Sequence, residues 1–343
     1  MTLMSTTQSR VGLEVHNANL PLKAPFRISG YTFHDSPVTL VTLRDGSVEG
    51  RGEAAGVYYL NDTTDRMLAT IEAHRDAIEG GLTREELRSL LPPGGARNAL
   101  DCALWELESR RARTPVWQLA GVETPRPLLT TFTVSANEPA AMAEVARSYA
   151  RARAIKLKLT GDLAADTERV HKVRAARPEV WLGVDANQGY KRDTLDRLLP
   201  ELKKARVSLL EQPCQRGEEA ELDGIDHTIP IAADESVLGL DEVEALAGRF
   251  DVVNIKLDKC GGLTEGLLIA ARARVLGMKV MVGNMIGTSL AMAPAFILGQ
   301  YCDVVDLDGP IFLQQDRSPG VVYRDGLIHC DDLVWGYSRR AAA

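Results

Sequence analysis

Eight short apolar runs recur between residues 130 and 307 of this 343-residue chain, and a helix-like stretch follows each of them. The runs are Thr130–Val134, Ala154–Leu159, Val180–Val184, Val207–Leu210, Pro230–Ala233, Val252–Ile255, Lys279–Val282 and Val304–Leu307. Polar residues at their ends are separated by 22 to 28 residues, about the length of one strand plus one helix. The pattern predicts a parallel α/β array, and eight units favour a (β/α)8-type barrel. An open doubly wound sheet is the alternative.

The region before residue 120 has a different pattern. Apolar side chains alternate along two strands, at Val11, Leu13 and Val15 and at Val38, Leu40 and Thr42. Asp45-Gly46 supplies a turn into a third strand, so an antiparallel sheet is expected, and helical signals follow from a capping box at Thr83. We therefore predict an N-terminal α+β domain. Its motif Gly50-x-Gly52-x-x-x-Gly56 is one residue too long for a dinucleotide-binding turn, which weakens the open-sheet alternative.

Charge and composition narrow the possible partners. The chain has 40 Lys and Arg residues against 47 Asp and Glu, a formal net charge of −7. With no basic block, this balance argues against nucleic acid or an anionic membrane as a partner. No apolar run approaches the roughly 20 residues of a membrane-spanning helix, and the polar residues 1–10 predict no signal peptide. Five scattered cysteines without a C-x-x-C pair indicate reduced thiols in a cytoplasmic protein.

Two lysines alternate with apolar residues on the second predicted barrel strand. Lys156 and Lys158 share one face, and Ile155, Leu157 and Leu159 share the other. On a half-exposed strand the lysines would simply face water. In a barrel the outer face is covered by helices, so the lysines must point inward, where their charges require carboxylates or a metal ion nearby. We therefore interpret these lysines as functional.

Carboxylates follow the next three strands. Asp185, Glu211 and Asp234 each come directly after an apolar run, so they converge at the carboxyl-terminal mouth of the barrel, where barrel enzymes place their sites. Three hard oxygen ligands without His or Cys fit Mg²⁺. Each acid could instead cap the following helix. Three in succession facing two lysines favour the metal site.

Lys256 ends the sixth strand and is expected to lie across the barrel from Lys158. Two amines on opposite sides of one site suit proton removal on one side and return on the other, as in a racemase or epimerase. A metal ion on a substrate carboxylate would stabilise the enediolate formed when the adjacent carbon loses its proton. A lysine base needs a pKa lowered from about 10.4 towards roughly 7–8, and Mg²⁺ and a second lysine act in that direction.

Asp306 and Asp308 share one face at the end of the eighth strand. They could simply form salt bridges with the lysines. The charge count suggests a further role in substrate binding. The proposed interior holds three lysines and five carboxylates, a formal charge of −2 that one Mg²⁺ neutralises. With one lysine neutral as the base, an ammonium group on the substrate would be attracted to the acidic pair. A dipeptide separates its ammonium and carboxylate groups across the mouth, as this arrangement requires.

The combined motifs resemble the muconate-lactonising subgroup of the enolase superfamily, over residues 10 to 330. They are Lys156-x-Lys158, Asp185-x-Asn187, Glu211-Gln212-Pro213, Asp234-Glu235-Ser236 and Lys256-x-Asp258-Lys259-x-Gly261-Gly262. Asp306-Leu307-Asp308 and the stretch from Ala96 to Trp105 look like the dipeptide epimerases of that subgroup. The resemblance implies a capping domain over residues 1–122, a barrel over 123–322 and a C-terminal segment, 323–343, that returns to the capping domain.

The same resemblance implies roles for individual residues. It makes Asp185, Glu211 and Asp234 the Mg²⁺ ligands, and Lys158 and Lys256 the two acid/base catalysts. Substrate-binding roles fall to Lys156, Asp306, Asp308, Thr131 and Phe33. In this family a mobile loop of the capping domain, here about Lys23 to Pro37, reads the C-terminal side chain of the dipeptide. Members that act on Ala-Glu typically have an arginine there, whereas this chain has Phe33, so the preferred side chain stays open.

The sequence leaves three alternative functions open. An N-acylamino acid racemase or o-succinylbenzoate synthase would share the fold, but its substrate has no free ammonium group to use Asp306 and Asp308. A Schiff-base barrel enzyme would use Lys158 or Lys256 without a metal ion. A non-catalytic binding protein would leave the retained lysines and acids unexplained. We expect a Mg²⁺-dependent isomerase acting on a small dipeptide, with a homo-oligomer as a candidate assembly.

Overall fold

The computed structural model describes residues 10–28 and 30–339. The polar segment that carried the signal-peptide prediction therefore lies outside the described residues, apart from Arg10. The strands are β1 Gly12–Ile28, β2 Tyr31–Asp45, β3 Val48–Ala54, β4 Leu128–Leu129, β5 Thr131–Val134, β6 Ala154–Lys158, β7 Trp181–Asp185, β8 Leu209–Glu211, β9 Ile231–Ala233, β10 Val252–Lys256, β11 Lys279–Gly283, β12 Val304–Val305, β13 Val322–Arg324 and β14 Leu327–His329.

Helices separate most of the later strands. They are α1 Thr64–Ala73, α2 Arg75–Glu79, α3 Arg84–Leu90, α4 Gly95–Ala112, α5 Val116–Leu119, α6 Pro139–Ser148, α7 Leu163–Ala176, α8 Arg192–Lys204, α9 Val243–Leu246, α10 Leu257–Cys260, α11 Leu263–Val275 and α12 Ser289–Gly299. Short 3₁₀ turns lie at Tyr58–Leu60, Glu219–Leu222, Leu240–Glu242 and Gly309–Phe312. Within the described ranges, no helix is both long and apolar enough to cross a membrane.

The parallel strands form the predicted barrel. β5 to β12 lie side by side in chain order as one eight-stranded sheet. Its two edge strands approach each other, because the Thr130 hydroxyl accepts a hydrogen bond from the Leu307 amide (2.9 Å) and the Thr133 amide donates to Asp308 (2.6 Å). These bonds nearly close the sheet. The (β/α)8-type prediction is confirmed, and the open doubly wound alternative is wrong.

The two ends of the barrel interior differ in polarity. Its floor is apolar and is filled by Trp181, Leu209, Ala232, Val252 and Met281. The opposite end carries charged side chains, because strand register places consecutive strand ends at the same height. Lys158 pairs with Asp185, and Asp185 pairs with Glu211. The residues that alternate with these inward-facing side chains along each strand, such as Leu157, point outward and pack into the main hydrophobic core beneath the helices.

The N-terminal region contains the predicted three-stranded antiparallel sheet, in the order β1-β2-β3. Helix α4 lies against it at short range. A Cβ atom on Gly52 would lie 1.9 Å from the Ala99 carbonyl oxygen, and one on Gly50 would lie 2.0 Å from that of Ala103. The glycine motif therefore serves close packing of a helix on a sheet.

The predicted loop from Lys23 to Pro37 is largely paired strand. β1 and β2 continue as a hairpin to Ile28 and Tyr31, with a register shift between Pro21 and Phe26. Beyond the shift Phe26 pairs with Phe33, and cross-strand aromatic pairs of this kind stabilise a hairpin. The loop was expected from the family resemblance, but the aromatic residues of the segment favour strands.

The C-terminal segment contacts both parts of the molecule. β14 pairs with β4 just before the first barrel strand. Farther on, the Trp335 indole N–H donates to the Arg51 carbonyl oxygen (3.0 Å), and the Gly336 amide donates to Glu106 of α4 (3.0 Å). These bonds link the chain end to the N-terminal sheet and helix.

Candidate active site

Three buried carboxylates meet at the barrel mouth. Asp185 and Glu211 end β7 and β8, and Asp234 directly follows β9. Each offers a ligand oxygen, and these oxygens all lie within 4.8 Å of one another. Hard oxygen donors at this spacing suit a small divalent cation such as Mg²⁺. We call Asp185, Glu211 and Asp234 the acidic triad.

Lys158 and Lys256 contact opposite ends of the acidic triad. The Lys158 ammonium lies 2.5 Å from Asp185 Oδ2, and the Lys256 ammonium lies 2.5 Å from Asp234 Oδ2. Their strands, β6 and β10, are four positions apart in the eight-stranded order and so stand on opposing walls. Both side chains are buried and face into the barrel. The two amines therefore flank the same site.

Burial and the surrounding charges shift the pKa of the Lys256 amine in opposite directions. Burial lowers its pKa, but Asp234 and Glu211 outweigh burial and raise the pKa well above its usual value. These carboxylates thus hold Lys256 as an ammonium. The lowered lysine pKa that the sequence analysis expected from a nearby cation is not a property that these protein groups supply by themselves.

Lys156 joins the acidic triad to the acids of β12. Its ammonium donates to Glu211 (3.2 Å) and makes a short hydrogen bond to Asp306. Burial lowers its pKa, and the charges of Asp306 and Glu211 more than reverse that shift. The Thr131 hydroxyl donates to the other oxygen of Asp306. Asp306 therefore forms the internal salt bridge considered in the sequence analysis.

The negative charge of Asp308 is less well compensated than that of Asp306. It accepts a hydrogen bond from the Thr133 amide (2.6 Å), and burial together with the charge of Asp306 raises its pKa to about 6. Thr133, Asp306 and Asp308 line the cavity above the mouth. Thr131 is buried behind Asp306, and the cavity-lining residue of that strand is Thr133.

Two further charged residues belong to the site, although the sequence analysis gave them no role. The Lys259 ammonium donates to Asp234 Oδ1 (2.6 Å) and to the Asn254 carbonyl oxygen (3.1 Å). Burial lowers its pKa. Glu235 is buried with one oxygen lacking a hydrogen-bond partner, and burial followed by the charge of Asp234 raises its pKa to about 8.

These two residues leave the balance of charge unchanged. With every group counted as ionised, the interior now holds four lysines and six carboxylates, a formal deficit of two positive charges. A divalent cation would neutralise it, so the residues fit the ion that the sequence analysis expected. Glu235 directly follows Asp234, and Lys259 comes three residues after Lys256. This closeness in sequence to inward-facing residues was the signal available for predicting them.

A cavity of about 550 Å³ lies between the barrel mouth and the N-terminal hairpin. This volume is within the usual range of about 300–1,000 Å³ for small-molecule sites. Phe33 lines its upper wall together with Phe26, Tyr58 and Tyr59. The two tyrosines were missed from the sequence because they follow β3 in a 3₁₀ turn and carry no motif.

Comparison with known families covers both parts of the chain. Residues 10–121 match the family described as mandelate racemase / muconate lactonizing enzyme, N-terminal domain. Residues 140–334 match the family described as enolase C-terminal domain-like.

Characterised relatives match over most of their length. The chain is 38% identical to the L-Ala-D/L-Glu epimerase of Escherichia coli K12 over 309 residues, covering 90% of this chain and 96% of the relative. It is also 38% identical to an N-acetyl-D-glutamate racemase of Pseudoalteromonas over 252 residues, covering 73% and 79%.

Solved structures agree with the fold. An enolase family member from Agrobacterium tumefaciens, with bound sodium and L-Ala-L-Glu, superposes with a TM-score of 0.92 at 39% identity, covering 95% of this chain and all of that one. A dipeptide epimerase of Enterococcus faecalis, complexed with Mg and L-Leu-L-Tyr, gives 0.87 at 26% identity, covering 94% and 97%.

Proposed function

We propose that this chain, which belongs to the mandelate racemase and muconate lactonizing enzyme family of the enolase superfamily, is a Mg²⁺-dependent dipeptide epimerase. It inverts the α-carbon of the C-terminal residue by moving a proton between two lysines. The observation that carries this proposal is the placement of the Lys158 and Lys256 amines on opposing barrel walls, each 2.5 Å from one end of the acidic triad.

The acidic triad would hold the metal ion. Asp185, Glu211 and Asp234 supply only carboxylate oxygens, and the buried site as a whole is short of positive charge. When bound next to a substrate carboxylate, Mg²⁺ supplies positive charge that makes the adjacent C–H bond more acidic. Lys156 donates to Glu211 and Lys259 donates to Asp234, and these bonds keep the two carboxylates oriented.

The two lysines perform the proton transfer. A neutral amine on one wall takes the α-proton, and the charge left on the substrate spreads into its carboxylate. The ammonium on the opposite wall then donates a proton to the other face of the α-carbon. The product has the opposite configuration, and each lysine ends in the protonation state in which the other began. Either lysine can act first, depending on the configuration of the substrate.

Asp306 and Asp308 would bind the other end of the dipeptide. Lys156 and Thr131 already engage both oxygens of Asp306, so Asp308 has more to gain from a substrate ammonium group. This end distinguishes a dipeptide from an N-acylated amino acid. The 38% identity to an N-acetyl-D-glutamate racemase keeps N-acylamino acid racemisation as the second candidate.

A dipeptide library in D₂O with Mg²⁺ tests the proposal. Each epimerised dipeptide gains one deuterium at its C-terminal α-carbon, which mass spectrometry detects, and chiral chromatography reports inversion. EDTA should abolish exchange, and added Mg²⁺ should restore it. N-acetyl amino acids in the same assay test the second candidate. Exchange into N-acetyl amino acids with none into any dipeptide would contradict the proposal.

A further inference from the structure

We infer that the C-terminal residue of the substrate carries an apolar side chain, with aromatic residues preferred, and that Phe33, Tyr58 and Tyr59 bind it. We call these three residues the aromatic wall. The inference rests on the proposed dipeptide epimerase function and adds to it the class of side chain that the site accepts.

The aromatic wall is continuous. The ring centroids of Phe33 and Tyr58 are 5.2 Å apart at an interplanar angle of 69°, and those of Tyr58 and Tyr59 are 5.1 Å apart at 89°. All three side chains line the cavity. Such edge-to-face packing leaves ring surface available to a further apolar group.

The geometry of the α-carbon directs the side chain towards this wall. One substituent is the carboxylate, which belongs at the acidic triad. The second is the amide nitrogen, which leads towards Asp306 and Asp308 at the end of β12. The proton occupies the direction of either Lys158 or Lys256. The remaining substituent is the side chain, and the space left is the upper part of the cavity beneath the hairpin.

An anionic side chain would meet no lysine or arginine in the upper cavity within the described ranges. The polar groups that line it include the His34 imidazole and the Tyr59 hydroxyl, which has no hydrogen-bond partner. Within the described ranges, the lysines that line the cavity are Lys156, Lys158 and Lys256, all at the mouth and bonded to carboxylates. Lys23 donates to the Ile311 carbonyl oxygen outside the cavity (2.9 Å). Arg27 lines a separate surface depression on the other side of the hairpin. Neither residue supplies the charge that a glutamate side chain would need.

A cationic side chain is less favoured than an apolar one. Asp35 and Asp62 line the upper cavity, but each already accepts a hydrogen bond, from the Asn19 amide group and from the Gly95 backbone N–H, both at 2.8 Å. Glu235 has an oxygen without a hydrogen-bond partner, but it follows Asp234 at the barrel mouth. Ile28, Met285 and Ile286 add further apolar surface to the lining. The largest uncommitted surface is therefore aromatic and aliphatic.

The experiment compares kcat/KM for L-Ala-L-Phe, L-Ala-L-Leu, L-Ala-L-Glu and L-Ala-L-Lys by deuterium exchange in the full-length enzyme. Burying an aromatic side chain should favour L-Ala-L-Phe over L-Ala-L-Glu by about tenfold to a hundredfold. Phe33→Arg should reverse this preference, because it places a cation opposite the glutamate side chain. Phe33→Leu, the matched control, should keep the wild-type order of preference.

The outcomes separate the two claims. Wild-type preference for L-Ala-L-Glu or L-Ala-L-Lys would overturn the aromatic wall while leaving the epimerase function intact. Unchanged preference in Phe33→Arg, in protein whose circular dichroism matches wild type, would also overturn it. Absence of exchange with every dipeptide would instead overturn the proposed function on which the inference rests.

Discussion

The barrel mouth and the N-terminal hairpin meet at one cavity but are built differently. At the mouth, buried lysines and carboxylates form ion pairs with one another. Lys156 is 3% exposed and bonds carboxylates at the ends of two strands, and Glu211 is fully buried. At the hairpin, Phe33 is partly exposed and contacts other rings. The mouth is therefore specified residue by residue, whereas the hairpin presents a surface that can change without disturbing its neighbours.

This difference predicts how each region tolerates substitution. Removing one member of a buried ion pair leaves the other charged and uncompensated, at a cost of about 3–5 kcal/mol. Replacing a partly exposed aromatic residue loses mainly apolar contact. Substitutions at the mouth are thus expected to impair catalysis, whereas substitutions at the hairpin are expected to change which substrate is preferred.

The largest effect should come from the two lysines. Lys158→Ala and Lys256→Ala should each lower epimerisation by about 10³-fold or more, because each removes one of the two proposed proton carriers. Each variant should still exchange the α-proton of one epimer only, and the two variants should differ in which epimer. Proton NMR in D₂O, started separately from each epimer, measures this.

Lys172→Ala, at an exposed position on α7, is the matched control and should behave as wild type. If Lys256→Ala leaves turnover and exchange intact in both epimers, the two-base assignment is wrong. The mouth would then tolerate substitution in the same way as the hairpin.

A smaller effect is expected at the end of the mouth where Asp308 is proposed to bind the substrate ammonium group. Asp308→Asn keeps an oxygen for the Thr133 amide but removes the charge, so KM for a dipeptide should rise about tenfold to a hundredfold. The N-acetylated form of the same dipeptide should show no such change. Steady-state kinetics on the two substrates decide the matter, and equal increases in KM would show that Asp308 does not bind the ammonium group.

The smallest effect concerns a contact that joins the N-terminal region to the barrel away from the mouth and the hairpin. Asp101 of α4 accepts hydrogen bonds from the Thr264 amide (3.0 Å) and hydroxyl (2.5 Å) on α11. Burial raises the pKa of Asp101 from 3.8 to about 6. Between these values the folded protein holds a proton that the unfolded chain has released. The contribution of Asp101 to the free energy of unfolding therefore falls as pH rises through this window.

Asp101→Asn should remove that dependence. Relative to wild type, its free energy of unfolding should improve by on the order of 2 kcal/mol between pH 4 and pH 7. Urea denaturation across this range measures the difference. Asp193→Asn, at an exposed position on α8, is the control and should show no trend. A constant difference between Asp101→Asn and wild type would show that the carboxyl titrates normally.

Much of the barrel could be predicted from the sequence because strand ends follow a simple rule. Parallel strands in register place their last residues at one edge, so Asp185, Glu211 and Asp234 could be assigned to one site from their position after apolar runs. Inward-facing Lys156 and Lys158 followed from alternation. The partners of each lysine could not be predicted, since they depend on distances across the barrel.

The hairpin was predicted less well. Alternation identified the start of β1 and the core of β2, but the segment from Lys23 to Pro37 was expected to be a loop. Its pairing depends on contacts such as Phe26 with Phe33 across the hairpin and Phe26 with Phe312 after β12, whose ring centroids are 4.9 Å apart. The contact of Phe26 with Phe312 joins residues distant in sequence, and local propensity does not encode it.

The sequence by itself determined the barrel, its polar mouth and the residue types available there, because these follow from local periodicity and from the cost of burying charge. Only the tertiary structure decided which carboxylate each lysine contacts, that Lys259 and Glu235 join the site, and that Tyr58 and Tyr59 complete the cavity with Phe33. Those arrangements depend on how separate elements pack in space, and residues far apart along the chain share no local signal of their contact.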